Sequence, residues 1–194
     1  MNDPGRSRLG VLAIQGDYEA HRAAFAELGV ATVPVKTVAE LATVGALALP
    51  GGESTAMLRL LRRDGMDVAL RDFVRRRPVF ATCAGCILLA REVRNPDQES
   101  FAALDVVVER NAYGRQNESA ILPMETTLPG GPMEAVFIRA PRIAETGPEV
   151  ETLATREGAP TLVRQGCILA ATFHPELAAD RRIHRLFLEM ARIR

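Results

Sequence analysis

Two short segments carry the residue types that covalent catalysis needs. The first is Phe80-Ala81-Thr82-Cys83-Ala84-Gly85, an apolar run that stops at a cysteine and continues in small residues. A strand feeding a helix through such a corner lifts its cysteine out of the carboxyl edge of a sheet, where ligands of open α/β sheets bind. The corner also aims backbone N–H groups and the positive end of a helix dipole at the sulfur, favouring a thiolate and an oxyanion. A buried structural cysteine is the plain alternative. The second segment is Thr172-Phe173-His174-Pro175-Glu176-Leu177. Pro175 restricts His174 to extended geometry, and residues two apart in an extended segment point the same way. Glu176 is therefore expected to orient the His174 imidazole and leave its other nitrogen for Cys83, a nucleophile–base–orienter set. Alone, His-Pro-Glu is an ordinary polar strand end; its meaning comes from the cysteine corner.

A third segment, Leu49-Pro50-Gly51-Gly52-Glu53-Ser54-Thr55, is a glycine-rich turn between an apolar run and a helix pattern. Consecutive glycines allow unusual dihedrals and let a ligand come close to the backbone. No Gly-Lys-Ser/Thr closes the turn, so it is not a phosphate loop. Other constellations compete for the same cysteines. Cys83 and Cys86 form a C-x-x-C pair, the pattern of a redox dithiol or thiol sensor. Adding Cys167 and His174 gives four candidate zinc ligands. The redox reading leaves the His-Pro-Glu and Pro-Gly-Gly segments without a role, and the zinc reading needs an elbow and a separate strand to converge. His21 and His184 fall on helix patterns and are expected on the solvated surface. The run Arg75, Arg76, Arg77 reads as a solvated helix end, favourable to the dipole.

The elements that must position these residues alternate between short apolar runs and amphipathic helices. Strands are expected over residues 9–14, 31–35, 46–49 and 78–82. Helices are expected over 18–28, with Asp17 as N-cap and Gly29 as stop, then from a Ser54 or Thr55 cap to about 64–65, over 67–75 and over 84–92. This alternation implies right-handed βαβ units and a mostly parallel sheet. The second half reads as short strands over 106–110, 119–124, 135–138, 149–154, 161–164 and 167–172, with turns at Gly130-Gly131-Pro132 and Glu157-Gly158. A helix over 180–192 closes the chain, and residues 95–100 read as a mobile surface loop. The expected fold is a three-layer α/β domain with a mixed, mainly parallel sheet and helices on both faces, flavodoxin-like in style. No linker divides it, so one domain covers residues 1–194, with 1–8 a flexible N-terminal extension.

Composition agrees with that architecture and removes other classes. The chain has 194 residues, 24 Lys+Arg against 24 Asp+Glu, and 47% hydrophobic residues. Neutrality argues against a nucleic-acid binder. The longest uncharged stretch, residues 78–90, is thirteen residues, short of the ~18–20 that span a bilayer. The first eight residues do not read as a signal peptide, and three cysteines cannot all pair, which suits a reducing cytoplasm.

Taken together, the three segments resemble the triad-type (class I) glutamine amidotransferases. The resemblance runs from about Leu9 to the C-terminus. It is strongest for the glutaminase subunits of pyridoxal 5′-phosphate synthase complexes, through Val106-Val107-Val108-Glu109-Arg110-Asn111, Gly114-Arg115-Gln116 and Phe137-Ile138-Arg139-Ala140-Pro141. The resemblance implies a class I glutaminase fold, hydrolysis of L-glutamine to L-glutamate and ammonia through a glutamyl thioester, and no metal or organic cofactor. It implies Cys83 as nucleophile, His174 as general base and then acid, and Glu176 as orienter. Gly52, Glu53, Ser54, Arg110, Ile138 and Arg139 would hold glutamine. Ala84 and the Gly51-Gly52 turn would supply the oxyanion donors. The implied partner is a barrel-shaped synthase subunit that accepts the ammonia and makes pyridoxal 5′-phosphate. A glutaminase serving another ammonia-consuming synthase, or a thiol redox protein using Cys83 and Cys86, are the alternatives. Two residues depart from the family pattern: Ala81 stands where glycine is usual, and Cys86 where an aliphatic residue is.

Overall fold

The computed structural model describes residues 8–110 and 119–194. Asn111, the Gly114-Arg115-Gln116 segment and most of the expected N-terminal extension lie outside them. The first half runs β1 (Leu9–Leu12), α1 (Tyr18–Glu27), β2 (Thr32–Val35), α2 (Val38–Leu41), β3 (Ala46–Leu49), α3 (Ser54–Arg63), α4 (Met66–Val74), β4 (Val79–Thr82) and α5 (Ala84–Leu89). The second half adds β5 (Ala90–Arg94), β6 (Leu104–Glu109), β7 (Ser119–Thr126), β8 (Met133–Ile138), β9 (Arg142–Thr146), β10 (Glu151–Arg156), β11 (Ala159–Gln165) and β12 (Ile168–Ala171). A 3₁₀ turn (Pro175–Leu177) and α6 (Arg182–Ala191) complete it.

Nine strands form one sheet in the order β2-β1-β3-β4-β12-β11-β10-β7-β8. The first five are mutually parallel and the rest extend the sheet antiparallel. A second sheet, β5-β6-β9, has three strands. Strands β1, β3, β4 and β12 are buried at every position, as parallel strands covered on both faces must be. Alternate residues serve opposite cores. In β3, Leu47 and Leu49 join Met57, Leu61, Leu70 and Leu88 of α3, α4 and α5. Ala46 and Ala48 join Phe25 of α1 and Ile183 and Phe187 of α6. Helices thus cover both faces, in the three-layer α/β arrangement expected.

Differences from the sequence expectation have local causes. Helix α5 ends at Leu89 rather than running to residue 92, because residues 90–94 pair with β6. In that stretch Ala90 and Val93 are buried while Arg91 and Glu92 face solvent, so strand pairing prevails over helix propensity. Helix α2 and strands β5 and β9 were not expected. The N-cap of α3 is Glu53, not Ser54 or Thr55: its carboxylate accepts from the Thr55 and Ala56 N–H groups at 3.1 and 2.7 Å. Asp17 sits at the N-cap position of α1 without a side-chain capping bond. The 95–100 segment, expected to be mobile, is tied to α3. There Gln98 Oε1 accepts from Ser54 Oγ at 2.8 Å and from Thr55 Oγ1 at 3.2 Å. No helix among the described residues is long and apolar enough to cross a membrane.

Candidate active site

Strands β1, β3, β4 and β12 are neighbours and parallel, so the segments leaving their carboxyl ends meet along one edge. Those segments hold Gln15, Gly51, Cys83 and His174, and the edge of an open parallel sheet is where such folds bind ligands.

Cys83 is the corner itself. It adopts φ 47° and ψ −105°, a sparsely populated conformation that costs on the order of 1–3 kcal/mol and persists only when its surroundings fix it. Here the Cys83 N–H donates to the Ala171 carbonyl at 2.9 Å, and its own carbonyl accepts from the Ile87 N–H at 3.2 Å. Gly85 makes the turn sterically feasible. A Cβ at that position would lie 2.3 Å from the Leu49 carbonyl oxygen, so only glycine lets α5 seat against the end of β3.

His174 is anchored by its N–H to the Val136 carbonyl at 2.8 Å. The pairing with Glu176 forms by a different route from the one expected. The chain does not stay extended after His174 but enters the 3₁₀ turn, which brings the Glu176 carboxylate back to the ring. Glu176 Oε1 lies 2.8 Å from His174 Nδ1, with both side chains buried. The Cys83 side chain lies near enough to the imidazole to favour its protonated form, and both residues line one cleft. Burial alone would lower the His174 pKa, but Cys83 and then Glu176 outweigh it and push it up to about 10. Burial likewise disfavours charge on Glu176, yet His21 and His174 beside it hold the carboxyl below its ordinary range.

The glycine-rich turn is needed for close approach rather than for unusual dihedrals. Neither Gly51 nor Gly52 has a positive φ. A Cβ on Gly51 would lie 2.4 Å from His174 Cε1, and one on Gly52 would lie 2.4 Å from Gln15 Oε1. The turn after β1 grips this one: Asp17 N–H donates to the Gly51 carbonyl at 3.3 Å, and Glu53 N–H donates to Gln15 Oε1 at 2.9 Å. Gly16, at φ 93°, must be glycine, because a Cβ there would lie 1.8 Å from the Gly51 oxygen.

A cleft of about 370 Å³ opens beside Cys83 and His174. Its walls include Gly51, Gly52, Glu53, Ser54, Arg110, Ile138 and Arg139, every residue expected to hold substrate. Ala84 follows Cys83 at the first position of α5, and Glu176 lies behind His174. Arg110 Nη2 stands 3.2 Å from Glu53 Oε1. Burial is the largest influence on Glu53, but two backbone N–H groups and Arg110 together keep its carboxyl below its ordinary range. The sequence reading missed Gln15, Gly16, Asp17 and Ile87, which also line the cleft. For Gln15, Gly16 and Asp17 the available signal was their position shortly after β1, at the edge the other segments share; for Ile87 it was its place one helical turn after Cys83 in α5.

Two expectations about histidines are overturned. His21 and His184 are both fully buried, not on the surface. His21 lies one helical turn before Phe25, and His184 one turn before Phe187 and Leu188, so each falls on the apolar stripe of its helix. The competing cysteine readings find no geometry. Cys86 faces the core, with no exposed surface, and burial pushes its thiol up to about 12. Cys167 precedes β12 and donates to the Arg77 carbonyl. The β4–β12 register puts it at the opposite end of the sheet from Cys83, on the order of 15 Å away at ~3.3 Å per residue.

Fold and cleft together have the form of an α/β enzyme built around a cysteine at a strand–helix corner. The SNO glutamine amidotransferase family matches residues 11–192. A pyridoxal 5′-phosphate synthase subunit PdxT from Koribacter versatilis is 56% identical over 95% of this chain and 96% of its own length. One from Thermotoga neapolitana is 54% identical over 95% of this chain and all of its own. A crystal structure of a glutamine amidotransferase, 44% identical, superposes with a TM-score of 0.88 over 95% of this chain and 99% of that one. The chain belongs to the SNO glutamine amidotransferase family.

Proposed function

We propose that this chain is a glutaminase in which Cys83, His174 and Glu176 form the catalytic triad and whose ammonia supplies a pyridoxal 5′-phosphate synthase. The observation that carries the triad is that Cys83 and His174 line one cleft, with His174 Nδ1 2.8 Å from a buried Glu176 oxygen. Cys83 thiolate attacks the glutamine side-chain amide carbon, and the amide oxygen takes the negative charge. The N–H of Ala84 and one from the Gly51-Gly52 turn receive that oxyanion. Imidazolium His174 then gives its proton to the amide nitrogen, the C–N bond breaks, and ammonia leaves a γ-glutamyl thioester on Cys83. Next His174 takes a proton from water, whose oxygen attacks the thioester carbon. The C–S bond breaks to release glutamate and restore the thiolate.

The cleft is sized for a small molecule, and its charges suit an amino-acid head group. Glu53 matches an α-ammonium, and Arg110 or Arg139 an α-carboxylate, which a guanidinium binds bidentately. Gly52, Ser54 and Ile138 complete the walls. The two PdxT relatives are named as subunits of pyridoxal 5′-phosphate synthase, which supports a synthase subunit, barrel-shaped by family resemblance, as the ammonia acceptor. The chain acts as one domain over residues 1–194 and works in the cytoplasm, where a nucleophilic thiol stays reduced. The test is glutamate release from glutamine together with mass analysis of the quenched enzyme. Cys83→Ala is expected to abolish release while leaving the melting transition near that of the parent. The parent is expected to carry the glutamyl adduct on Cys83; an adduct on Cys86 or Cys167 instead would overturn the assignment.

A further inference from the structure

The buried imidazole of His21 has no part in the chemistry just described, yet it touches the residues on both sides of it. Its Nε2 lies 3.0 Å from Thr82 Oγ1 and 3.3 Å from Glu176 Oε2. Thr82 immediately precedes the nucleophile, and Glu176 orients the base. One ring therefore joins the strand end that carries Cys83 to the carboxylate that serves His174. Glu176 Oε2 is fully buried and makes no well-directed hydrogen bond among the described residues; the 3.3 Å approach of His21 Nε2 is a polar contact to it and not a formed hydrogen bond.

The tautomer follows from the surroundings. His21 Nδ1 is buried without a partner. If Nδ1 carried the proton, a buried N–H would go unpaired and an Nε2 lone pair would face the carboxylate, both costly. With the proton on Nε2, only a lone pair is unmatched and the N–H meets Thr82 Oγ1 with Glu176 Oε2 close beside it. Burial lowers the affinity of His21 for a second proton, against the opposing pull of Glu176, and the ring presents its N–H toward the carboxylate. Packing fixes where it points: Phe80 meets it edge-on at 5.6 Å, and His184 lies 5.7 Å away on the same side of the sheet.

We propose that His21 is a positioning residue for glutamine hydrolysis: its Nε2–H, held between Thr82 Oγ1 and Glu176 Oε2, fixes the carboxylate that orients His174. This rests on the triad reading above. A carboxylate bound through Oε1 alone can rotate about its last torsion and carry the Nδ1 bond with it. Holding Oε2 as well leaves one orientation, and rigid support of this kind is what a catalytic constellation requires. Since His21 touches no substrate atom, its loss slows the chemical steps without weakening glutamine binding.

The experiment uses the full chain under conditions where the parent releases glutamate and Cys83→Ala does not, so that failure of the triad reading registers separately. His21→Phe keeps a ring in the same pocket and removes the donor. It is expected to lower kcat at least tenfold with KM changed less than twofold. His21→Gln, which returns an N–H near the Nε2 position, is expected to recover kcat to within about threefold of the parent. A folded His21→Phe protein with parental kcat would overturn the proposal, as would a loss that His21→Gln does not recover. An arm independent of any His21 variant folding is ¹⁵N NMR of histidine-labelled parent protein. His21 should carry its proton on Nε2, and that resonance should move in Glu176→Gln. A proton on Nδ1, or a resonance indifferent to Glu176→Gln, would equally overturn the proposal.

Discussion

At Cys83, a strained backbone corner is held by two main-chain hydrogen bonds, and the same residue shifts the protonation of its neighbour His174. Burial opposes a proton on His174, while the Cys83 and Glu176 side chains favour it strongly enough to raise its pKa to about 10. A folded-state pKa above the unfolded value of about 6.5 means that protonated His174 stabilises the fold fully below that value. The contribution is lost as pH rises from there through about 10. NMR titration should find the ring still protonated at pH 8. In Cys83→Ala the largest upward influence is gone, so the midpoint should fall toward neutrality; an unchanged midpoint would mean that Cys83 does not face the ring. Glu176→Gln removes the other influence and the charge that steadies the imidazolium. By comparison with orienting carboxylates elsewhere, which contribute up to about 10⁴-fold, it is expected to lower turnover at least a hundredfold, measured as glutamate release. The residues of this set were legible as types and spacings, because cysteine, histidine and glutamate each stand at the end of an apolar run. His21 was not: a single histidine in a helix has the same letter whether it faces water or Phe80, and only its i,i+4 relation to Phe25 distinguishes them.

The elements explain why the segments leaving four strand ends line one cleft. Each of β1, β3, β4 and β12 contributes one turn at the shared edge, and glycines at those turns set how closely they approach. Gly51 is the one that faces His174. A Cβ there would come within 2.4 Å of His174 Cε1, well inside van der Waals contact, so the ring or the turn must move by about 1 Å. A displacement of that size near reacting groups costs on the order of 10²-fold. Gly51→Ala is therefore expected to lower kcat by about that factor and to leave thermal unfolding nearly unchanged, since the ring can shift into the cleft. Wild-type turnover in that variant would show that the turn yields instead of the histidine. The apolar runs of the parallel strands could be read directly because burial on both faces leaves them nearly free of polar side chains, Thr82 at the end of β4 excepted. Elements whose existence depends on a distant partner could not. Residues 90–94 continue a helix pattern locally and become β5 only because β6 lies beside them. Glu53 takes the cap of α3 from Ser54, whose hydroxyl is engaged by Gln98.

On the scale of the whole molecule, the site lies at an open edge of the sheet, and its glycine turn is held by contacts of unequal strength. The Gly51 carbonyl accepts from the Asp17 N–H at 3.3 Å, a long bond, and a trans peptide turns its N–H away from its carbonyl. The direction in which Gly52 N–H points is thus coupled to a weak interaction, in a peptide whose glycines tolerate other orientations. In the mechanism proposed above, an N–H of this turn meets the oxyanion, and its productive orientation is populated more fully when a second surface selects it. The relatives' synthase complexes suggest which surface: a subunit docked beside the cleft, where ammonia would pass directly to its acceptor rather than be lost to solvent. The expected result is slow glutamate release by the purified chain and at least a tenfold rise on adding stoichiometric synthase subunit. The rise should come mainly in kcat, because the oxyanion contact forms in the transition state and not with bound glutamine. The measurement is steady-state glutamate release across a titration of the partner, with binding followed separately. Full activity of the isolated chain, unchanged by a partner that demonstrably binds, would remove the switching model and leave the triad assignment standing.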